Sequence, residues 1–286
     1  MVDKNKVWFI TGSSSGFGRE LSEQLLERGY KVVATARNTE TIEDLVQKYP
    51  NNARAIQLDV TNDRDVKNSV TKALEEFGSI DVLINNAGYG LGGGIEEPSM
   101  EQIQEQYDTN VFGVIRMMRE VLPHMRKQRG GNIVNVSSVV GIRSLPSIGY
   151  YSSTKFAMEA LSESLAQEVE HLGIKVTLVE PGGFRTDFAG RSFHQPKNRI
   201  KDYVTSERID NISDWDGAQP GDPQKGVKAI IDMVETENPP LRLPLGEDCV
   251  TAMEEKLRQV QENIDEWRDV AINTGVDDDR AESAGS

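Results

Sequence analysis

Residues 6–29 read KVWFITGSSSGFGRELSEQLLERG, and this stretch decides the fold. An apolar run, Val7 to Ile10, enters a loop of glycines and serines, Gly12-Ser13-Ser14-Ser15-Gly16-Phe17-Gly18. An amphipathic helix follows, with Leu21, Leu25 and Leu26 on its apolar face and Gly29 suited to its C-terminal end. A glycine pattern gains meaning between a strand and a helix. Glycines let the backbone turn tightly and approach a pyrophosphate, while the helix start offers N–H groups and the positive end of its dipole. The plainer reading is an ordinary Gly-Ser turn. The spacing differs from G-x-G-x-x-G and from the Walker loop. No Lys-Ser or Lys-Thr follows, which disfavours a nucleoside triphosphate site.

Working outward, the same alternation repeats. Residues 31–37, 53–60, 80–88, 132–138 and 174–182 are further apolar runs. Helical patterns at 41–49, 63–77, 100–125 and 152–171 separate them, the third reading as one long helix. Each run is almost continuously apolar, as strands covered on both faces require. The pattern predicts an α/β fold with a doubly wound parallel sheet. A short strand at 241–246 brings the sheet to about seven strands, and residues 1–286 read as a single domain.

Residues 187–222 are polar, bear Pro and Gly, and have weak periodicity. A segment of that length is expected to be a lid or binding loop. A helix returns at 223–235. In 251–286, Leu257, Val260, Ile264, Trp267 and Val270 recur at spacings of three and four, predicting an amphipathic C-terminal helix and then a mobile tail.

Composition narrows the function. A chain of 286 residues, 37% hydrophobic and 27% charged, can bury a sizeable core. No apolar stretch approaches the roughly 20 residues that span a bilayer. The N-terminus runs into a strand within six residues and does not resemble a signal peptide. Cys249 is the single cysteine, so no intrachain disulfide can form, and His124, His171 and His194 lack ligand spacing, so no metal is expected. A net charge of −14 argues against nucleic acid and anionic membranes as partners. A cytoplasmic protein is expected.

The chemistry concentrates between Ser138 and Lys155. Tyr151 and Lys155 are four residues apart, one turn on one helix face. An ammonium beside a phenol favours the phenolate, and such a phenol can trade a proton with an alcohol or ketone. Alone, Tyr-x-x-x-Lys is a common surface pair. At the end of the second strand stand Ala36-Arg37-Asn38, with no carboxylate to accept from ribose hydroxyls. Arg37 can pair with a phosphate bidentately, and Ser13 could add a hydrogen bond, so NADP is expected over NAD.

These residues resemble the compact branch of the short-chain dehydrogenase/reductases. The resemblance is strong over residues 4–190 or so. It is carried by Thr11-Gly12-x-x-x-Gly16-x-Gly18, Asp59-Val60, Asn85-Asn86-Ala87-Gly88, Asn110, Ser138, Tyr151-x-x-x-Lys155, and Pro181-Gly182 with Thr186. It implies a Rossmann fold and an NADP(H)-dependent enzyme that reduces a ketone or aldehyde, or oxidises the alcohol. Tyr151 would be the acid/base, Lys155 would lower its pKa and hold the nicotinamide ribose, Ser138 would polarise the carbonyl, and Asn110 would hold a water in a proton relay. Asp59 and Val60 would border the adenine. Asn86, Ala87 and Gly88 would line the cofactor, and Pro181, Gly182 and Thr186 would sit at its nicotinamide end. Gly12, Ser13, Ser14, Ser15, Gly16, Phe17 and Gly18 would form the phosphate loop. Spacing separates the doublets: Tyr150 has Thr154 as its i+4 residue, and the family serine lies 13 residues before the tyrosine, which selects Ser138 over Ser137.

The substrate is expected to be a small apolar carbonyl compound or alcohol. Phe188, Phe193, Tyr203, Ile209 and Trp215 would form one wall, with Tyr89, Leu91, Ile142, Leu145 and Tyr150 opposite. The family implies a homodimer or homotetramer through helices near 100–125 and 152–171. The chain departs from it in the 40 residues after Gly246. The rival reading is a non-catalytic NADP-binding sensor or scaffold, whose usual mark, loss of the tyrosine or lysine, is not found here.

Overall fold

Strand β1 (Val7–Ile10) is buried at every position. Val7 and Phe9 join a core on one face of the sheet, and Trp8 and Ile10 join the core on the other. That two-sided burial is why the strand is apolar throughout. The computed structural model describes residues 4–197, 199–205 and 217–276.

The other sheet strands are β2 (Lys31–Ala36), β3 (Ala53–Gln57), β4 (Val82–Asn85), β5 (Gly131–Val136), β6 (Ile174–Pro181) and β7 (Arg242–Leu245). They form one parallel sheet in the order β3-β2-β1-β4-β5-β6-β7. Trp8 pairs with Val32 on one side and Val82 on the other, so the chain changes direction between β1 and β4. A ligand cleft is expected beyond the carboxyl ends of strands at such a switch point.

Helices α1 (Gly16–Glu27), α2 (Glu43–Lys48) and α7 (Pro223–Val234) cover one face. Helices α3 (Asp63–Phe77), α5 (Gly113–Gln128) and α6 (Gly149–Val169) cover the other. Their ends follow local chemistry. Asn62 caps α3 by accepting from Arg64 and Asp65 N–H groups, and Gly78 closes it in a left-handed conformation.

The expected single helix over 100–125 is divided. Helix α4 (Met100–Tyr107) gives way to a π-turn at Asp108–Phe112 before α5 begins. The extra residue in that turn swings Asn110 inward, where its side chain is fully buried.

The C-terminal helix α8 (Glu247–Ile272) begins earlier than its apolar spacing suggests. Among the described residues no helix is long and apolar enough to cross a membrane. The expected mobile tail lies outside the described residues.

Candidate active site

A cleft of about 1310 Å³ opens at the carboxyl ends of β1, β4, β5 and β6. It exceeds the roughly 300–1,000 Å³ of an ordinary small-molecule pocket. Its lining includes Gly12, Ser14, Ser15, Gly16, Phe17, Arg37, Asp59, Val60, Asn86, Ala87, Gly88, Ser138, Tyr151, Lys155, Pro181, Gly182 and Thr186. Residues spread over 175 positions of sequence thus meet on one surface. Ser13, Gly18 and Asn110, also expected there, are not in its lining.

Ser13 is turned inward, contrary to its expected place beside Arg37. Its hydroxyl donates to Ile10 O at 3.2 Å and accepts from Thr35 N at 3.2 Å, tying β1 to β2. Gly12 has φ +72°, and the turn it makes sends the following side chain into the sheet. Gly18 lies beneath the loop: a Cβ there would overlap the Gly12 carbonyl oxygen and come within 2.5 Å of Asn86 Nδ2. Asn86 locks the loop to β4, its Nδ2 donating to Thr11 O and Gly12 O at 3.0 Å each. Thr11 Oγ1 accepts from the N–H groups of Asn86 and Ala87. The Asp59 carboxylate accepts the Thr61 amide and hydroxyl at 2.9 and 2.7 Å.

Asn110 is held by the loop after β4 and by α6. Its Oδ1 accepts from Tyr89 N at 3.1 Å, and its Nδ2 donates to Tyr89 O at 2.9 Å and Thr154 Oγ1 at 3.2 Å. Lys155 is 5% exposed and donates from Nζ to Val136 O at 2.8 Å. That Nζ stands 5.8 Å from the Tyr151 ring centroid. Ser138 caps a short turn by accepting from Val140 N at 3.3 Å.

The electrostatics are dominated by burial. Burial pushes the Tyr151 phenol well above its ordinary pKa, while the Ser138 hydroxyl acts in the opposite direction. Burial pulls the Lys155 ammonium down to about 8, with Glu159 working against it. The sequence-based expectation that the lysine lowers the tyrosine pKa therefore meets a desolvation effect of opposite sign.

Behind the cleft lies a cluster that the sequence reading missed. Ser137 Oγ donates to Glu159 Oε1 at 2.5 Å. Glu159 and the fully buried Glu180 both face Arg242 Nε, at 3.2 and 3.4 Å. Desolvation raises both carboxyl pKa values, and the neighbouring Glu159 charge raises that of Glu180 further. Cys249 Sγ donates to Glu180 O at 2.9 Å, anchoring the start of α8 here. A glutamate inside the apolar run of β6 was the available signal.

An apolar wall closes the cleft beside Tyr151. Phe188 meets the Tyr151 ring at 5.4 Å between centroids, and Phe193, Leu145, Ile148 and Val139 pack around them. Tyr89 is also in the lining, and it contacts His194 ring to ring at 4.7 Å. The backbone of residues 192–194 is fastened to that of Gly90–Leu91 by a two-strand parallel ladder. Gly90 N donates to Ser192 O at 2.9 Å and Gly92 N to His194 O at 2.8 Å.

Four residues expected in the walls lie elsewhere. Leu91 is buried in that ladder, and Ile142 follows the turn capped by Ser138 outside the lining. Tyr150 donates to Ile95 O at 2.7 Å, and Tyr203 donates to Glu96 Oε2, so both anchor loops. Ile209 and Trp215 lie outside the described residues. Arg143, Arg191 and Ala252 line the cleft without having been anticipated.

A family model described as short chain dehydrogenase matches residues 6–197. The oxidoreductase BOA17 of Botryotinia fuckeliana is 35% identical over 93% of this chain and 98% of its own length. A 3-ketodihydrosphingosine reductase of Bacteroides thetaiotaomicron is 40% identical over 84% of this chain and 88% of its own. Among solved structures, a short-chain dehydrogenase from Streptomyces avermitilis superposes with a TM-score of 0.88 at 40% identity, covering 95% of this chain and 99% of that one. A Burkholderia phymatum short-chain dehydrogenase/reductase in complex with NAD gives 0.79 at 25% identity, over 90% and 95%. ElxO with NADP bound gives 0.72 at 29% identity, over 88% and 100%. The chain belongs to the short-chain dehydrogenase/reductase family, and its fold is a Rossmann fold with a C-terminal helix.

Proposed function

We propose that this chain is an NADP(H)-dependent oxidoreductase that reduces an apolar ketone or aldehyde to the alcohol, or runs the reverse. The reading rests on one arrangement: Ser138, Tyr151 and Lys155 share the part of the cleft where its glycine-lined end meets the Phe188–Phe193 wall.

The residues fit a dinucleotide. The cradle under the loop exists because Gly18 lacks a Cβ, and α1 begins at Gly16 with no side chain capping its first N–H groups. Arg37, also in the lining, would take the 2′-phosphate, with Ser14 and Ser15 rather than the inward-turned Ser13 nearby in the loop. When bound, the nicotinamide supplies or takes up the hydride.

Ser138 Oγ would donate to the substrate oxygen, where negative charge develops during reduction. Tyr151 would give that oxygen its proton, or remove it in the reverse direction. Lys155, with a pKa of about 8, is mostly charged at neutral pH, and its charge would offset part of the burial that holds the tyrosine protonated. Asn110, hydrogen-bonded to the Tyr89 backbone and to the Thr154 hydroxyl, would complete the relay from Lys155 to solvent. Residues 187–222 would act as the substrate loop of a single functional domain.

The test is an assay of NADPH and NADH oxidation over a panel of ketones and aldehydes, with Tyr151→Phe alongside. Turnover in that variant should fall by about a hundredfold or more while NADPH binding is kept. Wild-type turnover would sink the assignment, and NADH used as well as NADPH would overturn the reading of Arg37.

A further inference from the structure

Among the described residues, helix α8 is fastened to the body only at its start. Cys249 is buried against Glu180, and Arg143 pairs with Glu255 at 2.7 Å. From Leu257 to Ile272 every residue is exposed. At about 1.5 Å per residue these form an arm roughly 24 Å long. Among the described residues nothing covers it.

The arm has an apolar seam. Val250, Met253, Leu257, Val260, Ile264, Trp267 and Ala271 follow one another at spacings of three and four without a break. That is the a/d repeat of a coiled coil. Leu257 is 64% exposed and Trp267 59%. A solitary helix of this length is marginal in water, and stability normally comes from covering its apolar face.

We propose that the occupant is the same arm of a second copy of this chain, running antiparallel about a two-fold axis. Setting a against d layers places Leu257 opposite Trp267, Val260 opposite Ile264 and Met253 opposite Ala271, each layer occurring twice. Large side chains then face smaller ones. The flanking positions in the same register place Glu254 opposite Arg268 of the second copy, again twice by symmetry. A parallel pair would stack Trp267 on itself and set Lys256 against Gln261 and Asn263 against Arg268, with no opposite charges facing. The helix carries eight acidic side chains against three basic ones, which disfavours an anionic lipid surface as the occupant. Pairing brings the tip of each arm to the root of the other, near Asp248 and Ala252 in the cleft lining.

The full-length chain tests this by cross-linking. Leu257→Cys/Trp267→Cys should form an interchain disulfide dimer on mild oxidation, and neither single variant should. Both singles keep Cys249 and so control for it. A cross-link from Leu257→Cys alone, or none from the double variant, would overturn the antiparallel pair.

Sedimentation equilibrium gives an independent reading. Glu254→Arg should raise the dissociation constant roughly tenfold, and Glu254→Arg/Arg268→Glu should recover most of it. Association through any other face is common to these variants and cancels. Failure of the double reversal to recover association would count against the register. So would sedimentation with phosphatidylserine vesicles that Ile264→Asp abolishes.

Discussion

Asn110 Nδ2 donates to the Thr154 hydroxyl, and that hydroxyl donates onward to the Tyr151 carbonyl at 2.7 Å. The π-turn and the first turns of α6 are thereby fixed to one another through a side chain that is fully buried. Replacing Thr154 with valine keeps the shape and removes both bonds. Thr154→Val should cost about 1–3 kcal/mol in urea denaturation, because a buried amide donor loses a partner. Thr154→Ser should recover most of it. Equal losses in the two variants would mean that the methyl group, not the hydroxyl, holds the site.

The Glu159–Glu180 pair sets a pH dependence of stability. Both carboxyls titrate above their ordinary value of 4.5 in the folded chain, chiefly because burial disfavours the charge. The folded state then binds more protons than the unfolded state as pH rises past 4.5, so this contribution to stability falls from there through the pair's raised titration. Glu180→Gln should flatten the fall in Tm over that range. A slope identical to wild type would remove the pair as its source.

Gly18→Ala should damage the glycine loop from beneath. The new Cβ would drive into the Gly12 carbonyl oxygen, which is backbone and cannot step aside. The expected result is a destabilisation of about 1–3 kcal/mol together with weaker dinucleotide binding. Fluorescence titration with NADPH checks the second part, and unchanged affinity would contradict it.

Arg37→Asp should exchange cofactor preference. The substitution removes the cation proposed to meet the 2′-phosphate and supplies the carboxylate that accepts from ribose hydroxyls. KM for NADPH should rise by about tenfold or more, with KM for NADH falling or unchanged. An equal rise for both cofactors would place Arg37 outside phosphate recognition.

The sheet was legible in the sequence because its strands are buried on both faces, so residues 7–10 and 82–84 carry no polar interruptions. The π-turn was not. Inserting one residue at Asp108–Phe112 shifts the helical phase, yet Ile103 before it and Val114, Met117 and Val121 after it still read as one apolar stripe. The inward turn of Ser13 depends on pairing with Thr35, which lies on another strand and leaves no local mark. Glu159 reads as a solvent-facing helix residue, and only the tertiary approach of Arg242, 83 positions away, explains its burial. The apolar wall was half legible: Phe188, Phe193, Tyr89 and Leu145 line it, whereas Tyr150 and Tyr203 spend their hydroxyls on Ile95 and Glu96.

The ladder between Gly90–Leu91 and Phe193–His194 separates attachment from selectivity. The segment is moored by main-chain N–H and C=O groups, and the Phe193 ring sits in the space left by Gly90 and Gly92. Arg191 stands apart from that mooring and pairs with Asp187 at 3.4 Å. Its side chain is therefore open to exchange without loosening the seat, so the wall proposed to meet the substrate can be re-surfaced there while the Phe188 ring keeps its place against Tyr151.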